Sequence, residues 1–465
     1  MKIFDTIAAI STPRGKGGVA MIRISGGAAI EYASKVFFPK NGKVLPDIES
    51  SKALYGNICE KNADGSMSLL DDGIAVIYRA PHSFTGEDTV EICCHGGILV
   101  TERVLSACLA SGCRQAEAGE FTRRAFISGR MSLSQAEDLG ALLEAKTDSQ
   151  LLLSRSGLEG HLTSEIRTCY DSLKEILASV YAKIDFPDED LASVGEAEMA
   201  ERVRKTRSRL LSLEKTYKAG RAVREGIRTV ICGRTNAGKS SLYNRILGRE
   251  AAIVTDIPGT TRDLLEQTAA LGKITLLLCD TAGLRETDDT VESIGIKRSR
   301  EAMENAELIL AVFDASCPLT EEDKALLGEL SGKANVIAVM NKCDSDALCN
   351  ESVSLIEKMI KNHVKISAKT GDGFSELTEM AETLFDIGEI DLKNDAVVTN
   401  ARQHAAILRA AELLGSAENA LNMGITVDLC GTDIECAMSA LAEIDGREVT
   451  EDIVSDIFSH FCVGK

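Results

Sequence analysis

The stretch that decides the fold is Gly233-Arg-Thr-Asn-Ala-Gly-Lys-Ser240, which lies between a predicted strand at Arg228–Cys232 and a predicted helix. Backbone N–H groups of a glycine-rich loop that opens a helix bind phosphate oxygens, helped by the positive end of the helix dipole. In such a loop the ammonium of Lys239 contacts the β- and γ-phosphates, and the hydroxyl of Ser240 is a ligand of Mg²⁺. The stretch therefore predicts a nucleoside triphosphate site without naming the base.

Short β-rich segments alternate with helical segments after this loop. The β-rich segments are Ile274–Cys279, Leu308–Phe313, Val336–Met340 and Val364–Ile366. Such alternation is typical of a doubly wound parallel sheet, so this part of the chain is predicted to be α/β.

The base is predicted by Asn341-Lys-Cys-Asp344. An aspartate carboxylate accepts two N–H donors from guanine, at N1 and N2, whereas adenine offers no such pair. The loss of this charge-assisted contact costs about 2–4 kcal/mol. Ser367-Ala-Lys369 follows a predicted strand, where the Ala368 N–H can donate to guanine O6. With the phosphate loop, these motifs predict a Ras-like P-loop G domain that binds GTP.

Two further segments are predicted to surround the γ-phosphate and Mg²⁺. Asp280-Thr-Ala-Gly283 ends a predicted strand, so that its carboxylate reaches Mg²⁺ and the Gly283 N–H faces the γ-phosphate. Within Thr255-Asp-Ile-Pro-Gly-Thr-Thr-Arg-Asp263 we assign Thr261 as the second hydroxyl ligand of Mg²⁺. The alternative for this segment is a polar switch loop without a direct ligand.

Leu284 stands where small signalling GTPases have a water-orienting glutamine, and leucine cannot orient water. Hydrolysis therefore needs other groups. Asn236 in the phosphate loop can help to hold a monovalent cation beside the phosphates, where the charge of an arginine finger would otherwise act. Glu292 is a downstream carboxylate that can orient water, although a surface helix residue is the more ordinary interpretation of that position.

These motifs predict a GTP hydrolase, an enzyme that acts on an acid anhydride. Its predicted Mg²⁺ ligands are Ser240 and Thr261. The residues predicted to contact GTP are Gly233, Asn236, Ala237, Gly238, Lys239, Ser240, Ser241, Thr255, Asp256, Ile257, Pro258, Gly259, Thr260, Thr261, Asp280, Thr281, Ala282, Gly283, Asn341, Lys342, Asp344, Ser367, Ala368 and Lys369.

A chain of 465 residues is too long for one core, and about three domains are expected. The first 120 residues mix short apolar runs, such as Val19–Ile24 and Thr89–Cys94, with glycine and proline turns, which favours an α+β domain. Helical periodicity begins at Phe121, ends at Pro187 and returns after Asn394. We predict an all-α helical domain, split in sequence, that carries the inserted G domain, with boundaries 1–120, 121–223, 224–388 and 389–465.

Charge and apolar patterning limit the possible partners. The net charge of −19 weighs against a surface that binds nucleic acid throughout, and no stable DNA binding is expected. A basic stretch from Arg202 to Arg228 is either an RNA track or a solvated helix face, and its helical spacing favours the solvated face. No apolar run approaches about 20 residues, so no membrane span is predicted. The 14 cysteines form no CxxC motif, and a cytoplasmic protein with reduced cysteines is expected.

Several motifs outside the nucleotide site carry a resemblance that covers the chain from end to end. They are Asp5-Thr-Ile, Arg23-Ile-Ser-Gly, Pro-His-Ser-Phe-Thr-Gly-Glu87, Gly119-Glu-Phe-Thr-Arg-Arg-Ala-Phe126 and Phe461-Cys-Val-Gly-Lys465. With Asn236 and the Gly259–Asp263 segment, they resemble the MnmE (TrmE) family of bacterial tRNA modification GTPases. The resemblance implies an N-terminal domain that binds folate and forms a homodimer, and a helical domain that carries a potassium-stimulated G domain.

The resemblance also implies a reaction and partners. With an FAD-dependent partner, MnmG, in an expected heterotetramer, such proteins install an aminomethyl or carboxymethylaminomethyl group on C5 of the wobble uridine, U34, of certain tRNAs. The one-carbon unit comes from 5-formyl- or 5,10-methylene-tetrahydrofolate. Matched motif by motif, Glu292 is the hydrolytic carboxylate, and the K⁺ ligands are Asn236, Thr255, Ile257 and Thr260.

The implied folate pocket uses Arg23, Glu87, Arg130 and Lys465. Its cations suit the anionic glutamyl tail of folate, and Glu87 suits the N–H donors of the pterin. The family commonly has lysine at the position of Arg130, and arginine keeps the charge but changes the geometry of the donors. Whether the Cys462 thiol takes part in chemistry or only packs is left open.

A non-modifying GTP switch in ribosome assembly is the alternative function. It is suggested by the apolar residue after the Asp-x-x-Gly motif. Such a protein would need an RNA-binding appendage, which the sequence does not indicate, and would have no use for the N-terminal domain or the tail at Cys462–Lys465. We therefore favour tRNA modification.

Overall fold

The computed structural model describes residues 5–185, 196–249, 266–279, 301–345, 348–423 and 427–465. Its chain folds into two compact units. Unit 1 is the chain up to Gly140 together with Asp445–Lys465, and unit 2 is Ala141–Ile444.

Unit 1 is built on a seven-stranded sheet. In the order β3-β4-β5-β6-β2-β1-β7, every neighbouring pair of strands is antiparallel except β1 with β7. The strands are β1 (Ile7–Ile10), β2 (Val19–Ser25), β3 (Phe37–Pro39), β4 (Ala53–Lys61), β5 (Met67–Tyr78), β6 (Thr89–His95) and β7 (Arg114–Gln115). The helices are α1 (Ala29–Ser34), α2 (Ile98–Ala110), α3 (Glu120–Ile127), α4 (Leu133–Glu144) and α15 (Glu451–Ser459), with a 3₁₀ turn at Leu45–Asp47. The predicted α+β class is confirmed.

Alternating burial explains why the central segments of unit 1 are strands. Ile22 and Ile24 of β2 and Ile92 of β6 are fully buried in the core between sheet and helices. The residues between them face the other side of the sheet, where Arg23 lies opposite Glu91 in the register. The pleat therefore puts the Arg23 side chain on the face away from the core.

The C-terminal segment packs on α3 and α4 through aromatic side chains. The Phe458 ring lies 6.2 Å from the Phe126 ring and 5.6 Å from the Phe461 ring, centroid to centroid. Phe458 also packs with Leu133 in a small separate core. Helical periodicity groups these segments with the helical domain, but their long-range contacts lie in unit 1. The domain boundaries given above stay predictions.

Unit 2 contains a six-stranded sheet in the order β13-β12-β11-β8-β10-β9. Its pairs are parallel, in agreement with the predicted doubly wound sheet, except β9 with β10, and β9 is a strand that the sequence analysis did not predict. Gly272, at a φ of 62°, forms the tight turn between β9 and β10. The strands are β8 (Ile227–Cys232), β9 (Glu266–Leu271), β10 (Ile274–Cys279), β11 (Leu308–Asp314), β12 (Val336–Asn341) and β13 (His363–Lys365). The helices around the sheet include α9 (Lys239–Arg249), α10 (Glu321–Leu330), α11 (Asn350–Met359) and α12 (Phe374–Leu384).

The rest of unit 2 is helical and comes from both sides of the G domain in sequence. Ile166 and Leu173 share one core with Ile407 and Leu414, which confirms the split all-α domain. Its helices are α5 (Asp148–Glu159), α6 (His161–Asp185), α7 (Glu196–Glu214), α8 (Tyr217–Arg224), α13 (Ala401–Asn422) and α14 (Val427–Asp445).

The basic stretch on α7 forms ion pairs along the helix surface. Arg202 contacts Glu198 at 2.8 Å, and Arg209 contacts Glu165 at 2.6 Å. These pairs agree with the interpretation of a solvated helix face. Among the described helices, none is both long enough and apolar enough to cross a membrane.

Candidate functional sites

The phosphate loop connects β8 to α9 and needs glycine at both ends. Gly233 has a φ of 137°, and a Cβ there would lie 2.2 Å from the Val312 carbonyl oxygen. Gly238 has a φ of 101°, and its Cβ would lie 2.0 Å from Asn341 Nδ2. Only glycine tolerates these φ angles and these close contacts together. The two glycines thus allow the loop backbone to lie at the N-terminus of α9, where anions bind favourably.

Lys239 begins α9, and its ammonium spans the loop. Its Nζ donates to the Gly233 carbonyl at 2.6 Å and to the Arg234 carbonyl at 2.7 Å. Ser240 and Ser241 follow on the first turn of α9 and are exposed. A cationic loop beside accessible hydroxyl groups fits the phosphates of a nucleotide and a hard cation such as Mg²⁺.

One amide side chain connects the phosphate loop to the base loop. Asn341 ends β12 and is only 3% exposed. Its Nδ2 donates to the Ala237 carbonyl at 2.9 Å, and its Oδ1 accepts from the Ala368 N–H at 2.9 Å. Guanine O6 would therefore share the Ala368 N–H with Asn341. Asn341 thus fixes the position of the phosphate loop relative to the base loop.

Lys342 and Asp344 leave the carboxyl end of β12 in different environments. Lys342 Nζ lies 2.6 Å from Asp314 Oδ2, whereas Asp344 is exposed. Asp314 ends β11 and was not predicted from the sequence, although the carboxyl end of a parallel strand was the available signal. Burial raises the pKa of the Asp314 carboxyl, but hydrogen bonds from Lys342 and Ser316 outweigh burial and lower the pKa below its ordinary value. Asp344 is left accessible to the donors of a base.

The base loop is a tight turn after β13. Ser367 is buried; its N–H donates to the Asp372 carbonyl at 3.0 Å, and its Oγ accepts from the Thr370 N–H at 3.1 Å. Ala368 is buried and Lys369 is exposed. The structure thus brings the Ser-Ala-Lys motif next to Asn341, in agreement with a joint role in one site.

Part of the predicted site lies outside the described residues. Of the four predicted K⁺ ligands, Asn236 is described; it is exposed and has a φ of 64°, which asparagine tolerates better than most residues. The roles of the others stay predictions. The predicted residues outside the described ranges are Thr255, Asp256, Ile257, Pro258, Gly259, Thr260, Thr261, Asp280, Thr281, Ala282, Gly283 and Glu292.

The C-terminal tail of the chain is built into unit 1. Ser11 Oγ donates to the Gly464 carbonyl at 3.0 Å, and the Phe121 N–H donates to the Lys465 carbonyl at 3.2 Å. Gly464 has a φ of 100°, and a Cβ there would lie 2.2 Å from the Ile10 carbonyl oxygen. The tail is therefore held between the end of β1 and the first turn of α3.

Arg23 packs on Phe121, the residue that also bonds the tail. Its Nε donates to Glu91 Oε1 at 2.9 Å, and its guanidinium lies 5.3 Å from the Phe84 ring centroid and 5.6 Å from that of Phe121. Cation–π contacts of this kind hold a guanidinium in place while leaving it charged. The Phe121 N–H also donates to the Lys465 carbonyl. Arg23 and the tail therefore contact the same residue, Phe121.

Glu87 follows Gly86 in sequence, and the Arg130 side chain lies beside Gly86. Glu87 Oε2 accepts from Ser25 Oγ at 2.8 Å and from Arg124 Nη1 at 3.1 Å. Arg130 is exposed, and a Cβ at Gly86 would lie 3.3 Å from its Cγ. The four predicted folate residues thus lie on connected segments of unit 1.

An ion-pair network in this region was missed by the sequence interpretation. Arg114 bonds Asp5 at 2.6 Å and Glu120 at 2.5 Å, and Arg124 bonds the same two carboxylates at 2.7 and 3.0 Å. The hydrogen bond from Arg114 lowers the pKa of Asp5. Burial raises the pKa of Glu120, but the bonds from Arg114, the Glu117 N–H and Arg124 outweigh it, and the pKa lies below its ordinary value. Only the i,i+4 pair Glu120–Arg124 was visible in the sequence.

Glu120→Gln is expected to weaken the protection of α3 amides against hydrogen exchange at neutral pH, by about 3 kcal/mol, because two arginines lose a buried partner. The pKa of Glu120 is lower in the folded state than its ordinary value of about 4.3. Ionised Glu120 therefore stabilises unit 1 fully at a pH above this ordinary pKa. The stabilisation is lost as the pH falls through the folded-state pKa. The difference from the wild type should therefore shrink below about pH 4. Exchange measured by mass spectrometry at each pH tests this, with Glu159→Gln, an exposed partner of Arg155, as the control. A difference independent of pH would contradict it.

Two family models match consecutive parts of the chain. The model of the GTP-binding protein TrmE N-terminus matches residues 6–130, and that of the MnmE helical domain matches residues 133–462. The chain belongs to the MnmE/TrmE family. The tRNA modification GTPase MnmE of Clostridioides difficile (strain 630) is 40% identical over 467 residues, which cover 100% of both chains. That of Lactococcus lactis subsp. cremoris (strain MG1363) is 41% identical over 463 residues, which cover 99% of each chain.

Membership of the MnmE/TrmE family makes the protein a tRNA modification GTPase, a GTP hydrolase with a GTP-binding G domain. The family resemblance and the GTPase activity predicted from the motifs are thereby confirmed. A solved G domain of the T. maritima FeoB iron transporter is also similar, with 27% identity over 34% of this chain and 98% of its own, at a TM-score of 0.25.

Proposed function

We propose that this protein is a K⁺-stimulated GTPase that takes part in installing the 5-(carboxymethyl)aminomethyl group on the wobble uridine, U34, of certain tRNAs. It acts with an FAD-dependent partner, MnmG, and uses a one-carbon unit from tetrahydrofolate. The observation that carries this proposal is the tail ending in Lys465, which is held against α3 at Phe121, the residue over which Arg23 lies. A GTP switch in ribosome assembly has no use for such a site, so that alternative is not favoured.

In the proposed GTP site, Lys239 contacts the β- and γ-phosphates, and Asp344 accepts the N–H donors of guanine. Ser240 and Thr261 hold Mg²⁺, which supplies positive charge to the phosphate oxygens during hydrolysis. The accessible hydroxyl of Ser240 at the start of α9 supports its part in this. Glu292 orients water. Switch loops that are ordered by the γ-phosphate and released on hydrolysis give the conformational cycle.

Asn236→Ala is expected to remove the stimulation of GTP hydrolysis by K⁺. In the proposed site the Asn236 amide holds K⁺ beside the phosphates, with Thr255, Ile257 and Thr260, and this charge replaces an arginine finger. The wild type should hydrolyse GTP about tenfold faster, or more, in KCl than in NaCl of equal ionic strength. Asn244→Ala, an exposed change on α9, should keep that ratio. Equal wild-type rates in the two salts would remove K⁺ from the proposal.

The proposed folate pocket combines three cations with one carboxylate. Arg23, Arg130 and Lys465 suit the glutamyl carboxylates of tetrahydrofolate, and Glu87 suits the pterin N–H groups. The side chain of Arg130 is exposed, and that of Arg23 is only 14% exposed and supported by aromatic rings. In this arrangement the Arg23 guanidinium is already held in place, and the exposed Arg130 guanidinium can change conformation to contact the ligand.

5-Formyl-tetrahydrofolate at 100 times its Kd is expected to stabilise the wild type by about 2.7 kcal/mol. A chain that ends at Gly464, or the variant Glu87→Gln, should lose most of this effect because a charged ligand group loses its partner. Thermal unfolding with and without the folate is the measurement, and Lys52→Ala, which breaks an exposed pair with Glu49, is the control. If the wild type gains no stability from the folate, the pocket assignment is wrong.

The proposed partners are tRNA, MnmG and a second copy of the chain. Unit 1 supports the homodimer because large apolar side chains on β4 and β5 are exposed, an unusual feature for a surface that stays in water. They are Tyr55, Met67, Leu69 and Ile74. A tRNA substrate implies that the protein acts in the cytoplasm.

Mass spectrometry of wobble uridines from cells that lack the gene tests the proposed function. We expect the carboxymethylaminomethyl and aminomethyl groups to disappear from U34 and to return with the wild-type gene. A gene with Lys239→Ala should not restore them, whereas one with Lys324→Ala, an exposed change on α10, should. Unchanged modification in the deletion strain would contradict the proposal.

A further inference from the structure

Arg245 lies on α9, the helix that begins with the phosphate-binding Lys239, but belongs to none of the nucleotide-binding motifs. Its Nη1 donates to the Lys369 carbonyl at 3.1 Å, and its Nη2 donates to the Thr370 carbonyl at 2.6 Å. The guanidinium also lies 5.7 Å from the centroid of the Phe374 ring. One side chain thus connects the helix of the phosphate loop to the loop that carries the Ser-Ala-Lys motif.

The turn that Arg245 contacts is shaped around its guanidinium. The Gly371 N–H closes the turn by donating to the Ser367 carbonyl at 2.8 Å. Gly371 has a φ of 97°, and a Cβ there would lie only 1.8 Å from Arg245 Nη2. The turn has room for the guanidinium because residue 371 is glycine. The two carbonyls point at the arginine, which fixes the peptides that follow Ala368.

We propose that Arg245 is a positioning residue for guanine recognition. By holding the carbonyls of Lys369 and Thr370, it keeps the Ser367–Gly371 turn in the conformation that presents the Ala368 N–H to guanine O6. The inference rests on the proposed role of Ala368 in the GTP site. Asn341 holds the first residues of this turn and Arg245 holds the last, so recognition of O6 depends on both.

Arg245→Ala tests the proposal through the affinity for two nucleotides that differ only at the atom concerned. GDP carries O6, whereas 6-thio-GDP keeps N1–H and the 2-amino group but has sulfur, a weak acceptor, in place of O6. We expect the variant to bind GDP about tenfold more weakly, and 6-thio-GDP only about twofold more weakly. Arg245→Lys, which keeps the charge but cannot reach both carbonyls with a planar fork, should lie between the variant and the wild type.

Hydrogen exchange without nucleotide is the second readout. Arg245→Ala should speed exchange in residues 367–371 and leave β8 and β12 unchanged, and Lys324→Ala should change neither exchange nor affinity. An equal loss of affinity for GDP and 6-thio-GDP would show that Arg245 only stabilises the domain, and an unchanged GDP affinity would show that it has no role; either overturns the proposal. If the wild type itself fails to prefer GDP over ADP, the GTP-site assignment fails instead.

Discussion

Asp344→Asn is expected to transfer the base preference of this protein from guanine to xanthine. The Asp344 carboxylate is exposed at the carboxyl end of β12, where it can accept N1–H and the 2-amino group of guanine. Asparagine can accept one donor, but its NH₂ group meets the 2-amino group of guanine as a second donor. Xanthine has an oxygen at that position, so the asparagine amide donates to it. We expect the affinity for GTP to fall about 100-fold, in line with a charge-assisted contact of about 2–4 kcal/mol.

Competition between labelled GTP and xanthosine triphosphate measures this exchange of specificity. Because Asp344 is exposed, the variant should unfold at the same temperature as the wild type. Asp386→Asn, which removes the carboxylate of an exposed pair with Lys218, is a matched control and should keep the preference for GTP. A variant at Asp344 that still prefers GTP would show that another group selects the base.

Asn341→Ala is expected to damage both stability and nucleotide binding, in contrast to the change at Asp344. The Asn341 amide is buried and bonds the Ala237 carbonyl and the Ala368 N–H, so its removal leaves two buried backbone groups without that partner. Each such loss costs about 1–3 kcal/mol, and we expect the G domain to lose about 2–4 kcal/mol of unfolding free energy. The affinity for GTP should fall more than tenfold, because the phosphate loop and the base loop are no longer held in a fixed position relative to one another.

Hydrogen exchange of β12 and of residues 366–368 follows the stability of this region within the full chain. Nucleotide titration of the same samples gives the affinity. Asn305→Ala removes an exposed amide whose Nδ2 donates to the Glu301 carbonyl four residues earlier, and should change neither quantity. If the Asn341→Ala variant is destabilised but binds GTP with normal affinity, Asn341 is needed for stability and not for nucleotide binding, which would contradict the prediction.

Much of the G domain was predictable because its signals are local. The predicted strands coincide with β8 and β10–β13 to within about one residue, since short aliphatic runs between helices are characteristic of buried parallel strands. Strand β9 was missed, because Glu266–Leu271 is an edge strand that begins with three polar residues and whose pairing depends on the turn at Gly272. The contacts between α3 and α15 within unit 1 could not be read from the sequence for a related reason: helical periodicity indicates a helix but does not identify its partner.

The sequence by itself determined the class of chemistry. Glycines at fixed spacing before Lys239 and an aspartate after Asn341-Lys-Cys specify phosphates and guanine through groups that lie within a few residues of one another. The tertiary structure alone decided which distant residues contact one another, both in the nucleotide site and in unit 1. Arg114 pairs with Asp5 across 109 positions, Arg245 reaches Lys369 across 124, and Ser11 holds Gly464 across 453. Such contacts follow from how strands and helices pack, and a pattern limited to neighbouring residues carries no information about them.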